Sequence, residues 1–196
     1  MKIQTKLTIG LLFCAVNLYY WTHSAYSQTI DLSPAQKSAL KSLNIPVAVP
    51  TYLPNGFKVS QVKIKACPAN APRVGACREG ASYEILYRNS ENICLSMNAI
   101  GGGVGGADSE FQFPIETKLL GKIEINFGRV PGSGNRPTSE QLNSPQPGLY
   151  SFPARLESPR TPYYSLRVEE ERYNCRSNSA IAPSEFERML KSLVWL

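Results

Sequence analysis

The stretch YEILYRNSENICLSMNA, residues 83–99, decides the fold. Tyr83, Ile85 and Tyr87 share one face of an extended chain, with Glu84 and Arg88 on the other, a period of two that marks a strand. Asn89-Ser90-Glu91-Asn92 has turn chemistry, after which Ile93, Leu95, Met97 and Ala99 resume the period. So short a link joins only antiparallel neighbours, so the stretch predicts a hairpin with one apolar face.

Working outward toward the N-terminus, residues 58–65 predict another strand, imperfectly alternating around Ser60-Gln61, where a bulge is natural. Before it, PVAVPTYLPNGF (46–57) carries three prolines and is expected to be extended and non-helical. Ser33-Pro34-Ala35-Gln36 is a capping box with proline at the first helical position, opening a helix that can run through Leu40 to Leu43 before Asn44 and Pro46 stop it.

Toward the C-terminus, Phe111 and Phe113 predict a short strand ended by Pro114, and Ile123, Ile125 and Phe127 alternate with Lys122, Glu124 and Asn126 in a half-buried strand. PGSGNRPTSEQLNSPQPG (131–148) reads as a long flexible loop with Leu142 as its one large apolar residue. Tyr150 with Phe152, then Tyr164, Leu166 and Val168, predict two more strands. After Pro183, Phe186, Met189, Leu190 and Leu193 fall at i, i+3, i+4 and i+7, the apolar stripe of a closing helix, with Ile181 and Phe186 as its hydrophobic staple. The sum is an α+β domain: an antiparallel meander of about six strands with an N-terminal and a C-terminal helix.

The first residues have a basic start at Lys2 and Lys6, an apolar middle, and small residues at Ala25 and Ser27. They predict a signal peptide over 1–27, cut before Gln28, because the apolar run falls short of the roughly 20 residues a spanning helix needs. Residues 28–196 then form a single extracytoplasmic domain, periplasmic or extracellular, with no membrane span left after cleavage. Lys2 and Lys6 leave with the signal, so the formal charge falls from +6 to +4. Lys58, Lys63 and Lys65 sit together, and Glu169, Glu170 and Glu171 form an acidic run; both read as solvated faces. No Lys/Arg cluster interleaved with aromatics points to nucleic acid.

The one histidine, His23, lies in the signal segment. The mature chain therefore lacks Ser-His-Asp and Cys-His catalysis and most zinc sites, and no catalytic residue or cofactor is expected. Four cysteines remain, Cys67, Cys77, Cys94 and Cys175, an even number in an exported chain, which predicts two disulfides with three possible connectivities. Cys67 and Cys77 bracket CPANAPRVGAC, a Pro/Gly/Ala segment that a bond between its ends would constrain. This favours Cys67 with Cys77 and leaves Cys94 with Cys175.

In AIGGGVGGADSEF (99–111), Gly101, Gly103 and Gly106 meet the spacing G-x-G-x-x-G. A dinucleotide loop must lead from a strand into a helix, whose amides hold the pyrophosphate. Here the following residues are too few before Pro114 to make that helix. The spacing is what five glycines in six positions produce by chance. The segment reads instead as a close-packed connection in which missing side chains let backbone pass near backbone or near a partner.

Tyr52-Leu53-Pro54-Asn55-Gly56-Phe57 leading into a strand, a Tyr-rich hairpin, and the pattern Pro183-Ser184-Glu185-Phe186 to Leu190-Lys191-Ser192-Leu193 resemble a family of bacterial extracytoplasmic domains of unknown function. These have a YLP-x-GF lead-in and an amphipathic C-terminal helix, and occur in anti-sigma-factor-like and lipoprotein-sorting-like envelope proteins. The resemblance implies an antiparallel sheet with packed helices and no catalytic residues to carry over. The chain departs from it in its cysteine pairs, its glycine segment and residues 131–148.

These features predict a non-catalytic binding or interaction module of the envelope, with a protein, glycan or lipid as partner. Its candidate interaction surface comprises Gly101, Gly102, Gly103, Gly105, Gly106 and Asp108 in the glycine segment, with Tyr163 and Arg167. A carrier of lipid or lipoprotein is the alternative, and a carboxylate enzyme or Ca2+ site around Asp108 and Glu110 is a third.

Overall fold

The computed structural model describes residues 31–68, 70–72, 74–101, 109–130, 132–151, 154–155, 162–169, 172–176 and 180–196. The expected signal segment therefore lies outside the described residues.

Helix α1 (Pro34–Lys41) is followed by strands β1 (Ala48–Pro50) and β2 (Lys58–Lys65) and a 3-10 turn at Gly75–Cys77. Then come β3 (Ser82–Arg88), β4 (Cys94–Ile100), β5 (Phe111–Thr117), β6 (Gly121–Phe127) and helix α2 (Ser139–Asn143). Short strands β7 (Gln146–Pro147), β8 (Tyr150–Ser151) and β9 (Ala154–Arg155) lead to β10 (Tyr163–Glu169) and β11 (Ala180–Ile181). Helix α3 (Pro183–Lys191) and β12 (Leu193–Trp195) close the chain.

The described residues form mostly antiparallel sheet with three short helices. The main sheet has eight strands in the order β2-β3-β4-β10-β8-β6-β5, with β9 beside β10, and so exceeds the six expected. The predicted hairpin is β3 and β4, paired from Tyr83↔Ala99 to Arg88↔Cys94. Its turn is held by the Asn89 side-chain carbonyl, which accepts from the backbone N–H of Glu91 and Ile93, while Asn92 takes a positive φ of 63°. The β2 bulge falls between Val59 and Gln61, as its broken alternation predicts.

The single meander is not observed. The chain runs β2-β3-β4, crosses to the far edge at β5, and returns inward through β6 and β8 to β10, which pairs with β4. Four strand spacings amount to about 19 Å, and the eleven peptide steps from Ile100 to Phe111 reach about 36 Å, so the connection is long enough.

Three other elements differ from expectation. Pro114 does not end its strand, because β5 is the sheet edge: the Gln112 N–H points outward to the Asn135 carbonyl at 2.9 Å, so the N–H that Pro114 lacks belongs to the same unpaired side. Residues 131–148 hold α2, opened by a Thr138–Gln141 capping box, and β7, which pairs with β11. Leu193 does not extend the last helix; it starts β12, which pairs with β1.

One face of the sheet carries the core. Tyr83, Ile85, Tyr87, Leu95, Met97, Tyr164, Leu166, Ile125 and Phe127 are buried there with Leu40 and Leu43 of the α1 segment and Phe186, Met189 and Leu190 of α3. Burying each such side chain contributes about 1.5–3 kcal/mol. Tyrosine hydroxyls tie β1 across this core: Tyr83 accepts from the Ala48 N–H at 2.8 Å and donates to its carbonyl, and Tyr164 donates to the Pro46 carbonyl at 2.8 Å.

The Tyr52–Phe57 lead-in sits on the end of α3. The Thr51 N–H donates to the Ser192 carbonyl and the Tyr52 N–H to the Ser192 hydroxyl, both at 3.0 Å. The Tyr52 hydroxyl donates to Glu185, and the Arg188 guanidinium lies 3.9 Å from the Tyr52 ring centroid. The Tyr52–Phe57 lead-in and the closing helix thus touch each other.

Candidate functional site

The opposite face of β2, β3, β4 and β10 is polar. Strand alternation and register bring Lys63 opposite Glu84, Glu84 opposite Asn98, and Ser96 opposite Arg167, so charged and amide side chains from four strands rise from one surface. Together they form an open basin of about 390 Å3, lined by Lys63, Lys65, Glu84, Asn98, Arg167 and Arg172, with Ser82 and Ser165 on its floor.

Two carboxylates lie deep in this face: Glu169 is 5 % exposed and Glu84 9 %. A buried charge costs several kcal/mol unless it is paired, so each must have partners. Glu169 Oε1 accepts from the Ser96 hydroxyl and from Arg167 Nε, each at 2.5 Å. Glu84 accepts from the Tyr173 hydroxyl and, at 3.4 Å, from Arg172. Asn98 donates to the Ser96 hydroxyl at 2.8 Å, which closes the network. Both carboxylates are therefore engaged by neighbours, an arrangement suited to holding Arg167 and Arg172 in place.

A disulfide puts Tyr173 and Arg172 over the sheet. Cys94 pairs with Cys175 across a sequence separation of 81 residues, which clamps residues 172–176 beside β4. The Asn174 carbonyl accepts from the Asn92 amide at 2.6 Å, and the Tyr173 carbonyl from Arg88 at 2.9 Å. Lys63 Nζ lies 4.1 Å from the Tyr173 ring centroid, and the Arg172 guanidinium 5.2 Å. Burial first, and then the hydrogen bond to Glu84, push the Tyr173 hydroxyl up from 10.0 to about 12.

Cys67 pairs with Cys77, so the favoured connectivity is the one observed. The chain leaving this stapled loop passes Gly101, where an added Cβ would lie 1.3 Å from the Glu79 carbonyl oxygen. Gly101 is thus a point where backbone crosses close to backbone, at the end of the basin marked by Ile100.

Among the residues singled out from the sequence, Arg167 lines the basin. Tyr163 shares the outward side of β10 but stands apart from the basin, with the Arg155 guanidinium 5.3 Å from its ring centroid. Gly102, Gly103, Gly105, Gly106 and Asp108 lie outside the described residues. Glu110 lies just before β5, at the other edge of the sheet, away from Glu84 and Glu169. Among the described residues no three His, Cys, Asp or Glu side chains gather as a metal site would need. No described helix is long and apolar enough to cross a membrane.

Sequence reading misses Glu84, Ser96, Asn98, Glu169, Arg172 and Tyr173 as a group. Glu169, which the sequence places in a solvated acidic run, is buried because Arg167 and Ser96 neutralise and bond it. The signal is present in the alternate positions: Glu84, Ser96, Asn98, Arg167 and Glu169 all fall on the non-apolar side of their strands.

Compared with protein-family profiles, with curated proteins and with solved structures, the chain finds no match.

Proposed function

We propose that the protein is exported and serves outside the cytoplasm as a non-catalytic binding module, with the basin on β2, β3, β4 and β10 as its binding surface. The observation that carries this reading is the convergence of polar side chains from four strands on an open face whose two carboxylates are already engaged internally. A rigid, prearranged surface of this kind binds without first losing side-chain freedom. The two cysteine pairs support an oxidising compartment. The contact between the Tyr52–Phe57 lead-in and α3 is in keeping with an extracytoplasmic domain of the YLP-x-GF kind.

The test uses protein recovered from the oxidising compartment of an expression host, incubated with a cell-envelope fraction and sedimented. Wild type is expected to sediment with the envelope, and Ser165→Trp, which fills the basin floor, to remain soluble while unfolding at the same urea concentration. Equal retention of the folded variant would remove the basin from the reading.

A further inference from the structure

The basin also points to the class of ligand, an assignment that rests on its being the binding surface of a binding module. Its charged groups do not cancel. Arg167 and Arg172 are matched by Glu169 and Glu84. Lys63 and Lys65 also line the basin, and among the described residues neither pairs with a carboxylate. Among the described residues, two ammonium groups thus stand without a counter-charge at one wall, an electrostatic feature that attracts an anion.

The floor has unspent hydrogen-bonding capacity of a different kind. The Ser82 and Ser165 hydroxyls line the basin and bond to no other described residue. Asn98 spends its amide N–H on Ser96, leaving its Oδ1 as an acceptor. Each hydroxyl can donate and accept, and the amide oxygen accepts, which is the complement of a ligand rich in hydroxyls.

These groups come from four strands side by side, so they spread across the sheet over about 14 Å. A peptide would be recognised mainly by backbone hydrogen bonds along one strand edge. Side chains spread across strands, with hydroxyls and an amide between cations, fit sugar rings better. Ile64, Tyr83 and Ile100 also line the basin and give it apolar surface beside the charged groups.

We infer that the basin binds an anionic oligosaccharide, with Lys63 and Lys65 taking its carboxylate or phosphate and Ser82, Ser165 and Asn98 its ring hydroxyls. Arg167 and Arg172, fixed by Glu169 and Glu84, wall the site.

The inference is tested by titrating the intact, oxidised protein with two sets of short oligosaccharides. One set carries uronic carboxylates and the other sugar phosphates; the controls are the methyl-esterified uronate oligomer and tetraglutamate. At least one anionic set is expected to bind, and the esterified oligomer and tetraglutamate to bind at least tenfold more weakly. The double variant Lys63→Gln/Lys65→Gln is expected to lose at least tenfold in affinity, and Ser82→Ala/Ser165→Ala a few-fold, each with an unchanged unfolding midpoint. Which set binds identifies the acid.

Equal binding of the esterified oligomer, equal binding of tetraglutamate, or an undiminished lysine variant would overturn the inference. So would a lack of binding in both anionic sets. If both sets fail while Ser165→Trp still abolishes envelope retention, the binding-module reading stands and only the ligand class falls.

Discussion

The hydroxyl of Tyr173 donates to the carboxylate of Glu84 across 89 residues of sequence, joining the loop after β10 to the second strand of the main sheet. Desolvation, the largest cause, and then this bond raise the Tyr173 hydroxyl to about 12; desolvation and Glu185 do the same for Tyr52. A folded value above the unfolded value of 10.0 means the contribution is complete below pH 10.0 and is lost as pH rises through about 12. The urea midpoint should therefore hold steady up to pH 10.0 and fall from there to about pH 12. In Tyr52→Phe/Tyr173→Phe the fall should be shallower. Phenolate absorbance developing near pH 10 in Tyr173 while the fold persists would contradict it.

The two disulfides should differ in what their removal costs. Cys94–Cys175 closes a separation of 81 residues and Cys67–Cys77 one of 10. On the loop-closure account, replacing the first pair by serine costs about 4–5 kcal/mol and the second about 3 kcal/mol. Urea denaturation of the two double-serine variants gives the order directly. Thiol titration of the unreduced wild type should find no free thiol in the 28–196 chain.

Gly101→Ala should destabilise although one methyl is a small change. Its Cβ would overlap the Glu79 carbonyl oxygen, so one backbone segment must move, at a cost of about 1–3 kcal/mol. Because the displaced backbone borders the basin, the variant should also weaken ligand binding. Equal unfolding midpoints for Gly101→Ala and wild type would show that the crossing is loose.

Two core tyrosines give opposite predictions for the same substitution. Tyr83 both donates to and accepts from Ala48, whereas the buried Tyr87 hydroxyl has no partner among the described residues. Tyr83→Phe should cost about 1–3 kcal/mol by leaving the Ala48 N–H unpaired. Tyr87→Phe removes an unpaired polar group and should be neutral or stabilising by about 1 kcal/mol. Equal losses in thermal unfolding would mean the Tyr87 hydroxyl is bonded in solution.

Legibility follows the length of each pattern. The β3–β4 hairpin, the β2 bulge and the α1 capping box are readable because each leaves its mark in a short run of consecutive residues: a turn between two alternating runs, a break in alternation, and Ser33 with Gln36. Strand β12 is not, since Leu193 continues the helical stripe of α3 as well as it begins a strand, and three residues carry no usable period. The strand order is not readable either, because the pairing of β4 with β10 is a tertiary choice. The site sits at that seam: Ser96, Arg167 and Glu169 meet only once β4 and β10 pair, and Tyr173 joins only through Cys94–Cys175. Arg167 stands out alone in the sequence because its strand face is evident there, while its partners come from other strands.

The central position of the β4–β10 seam has a kinetic consequence. Its partners lie about seventy positions apart in sequence, so the middle of the sheet closes late and at a high loop-closure cost, which slows folding. The bond between Cys94 and Cys175 spans the end of that seam and closes the same loop covalently. A chain refolding with this bond formed should be much faster than one that must make it last. The order in which thiols oxidise then decides how long the half-built sheet stays exposed.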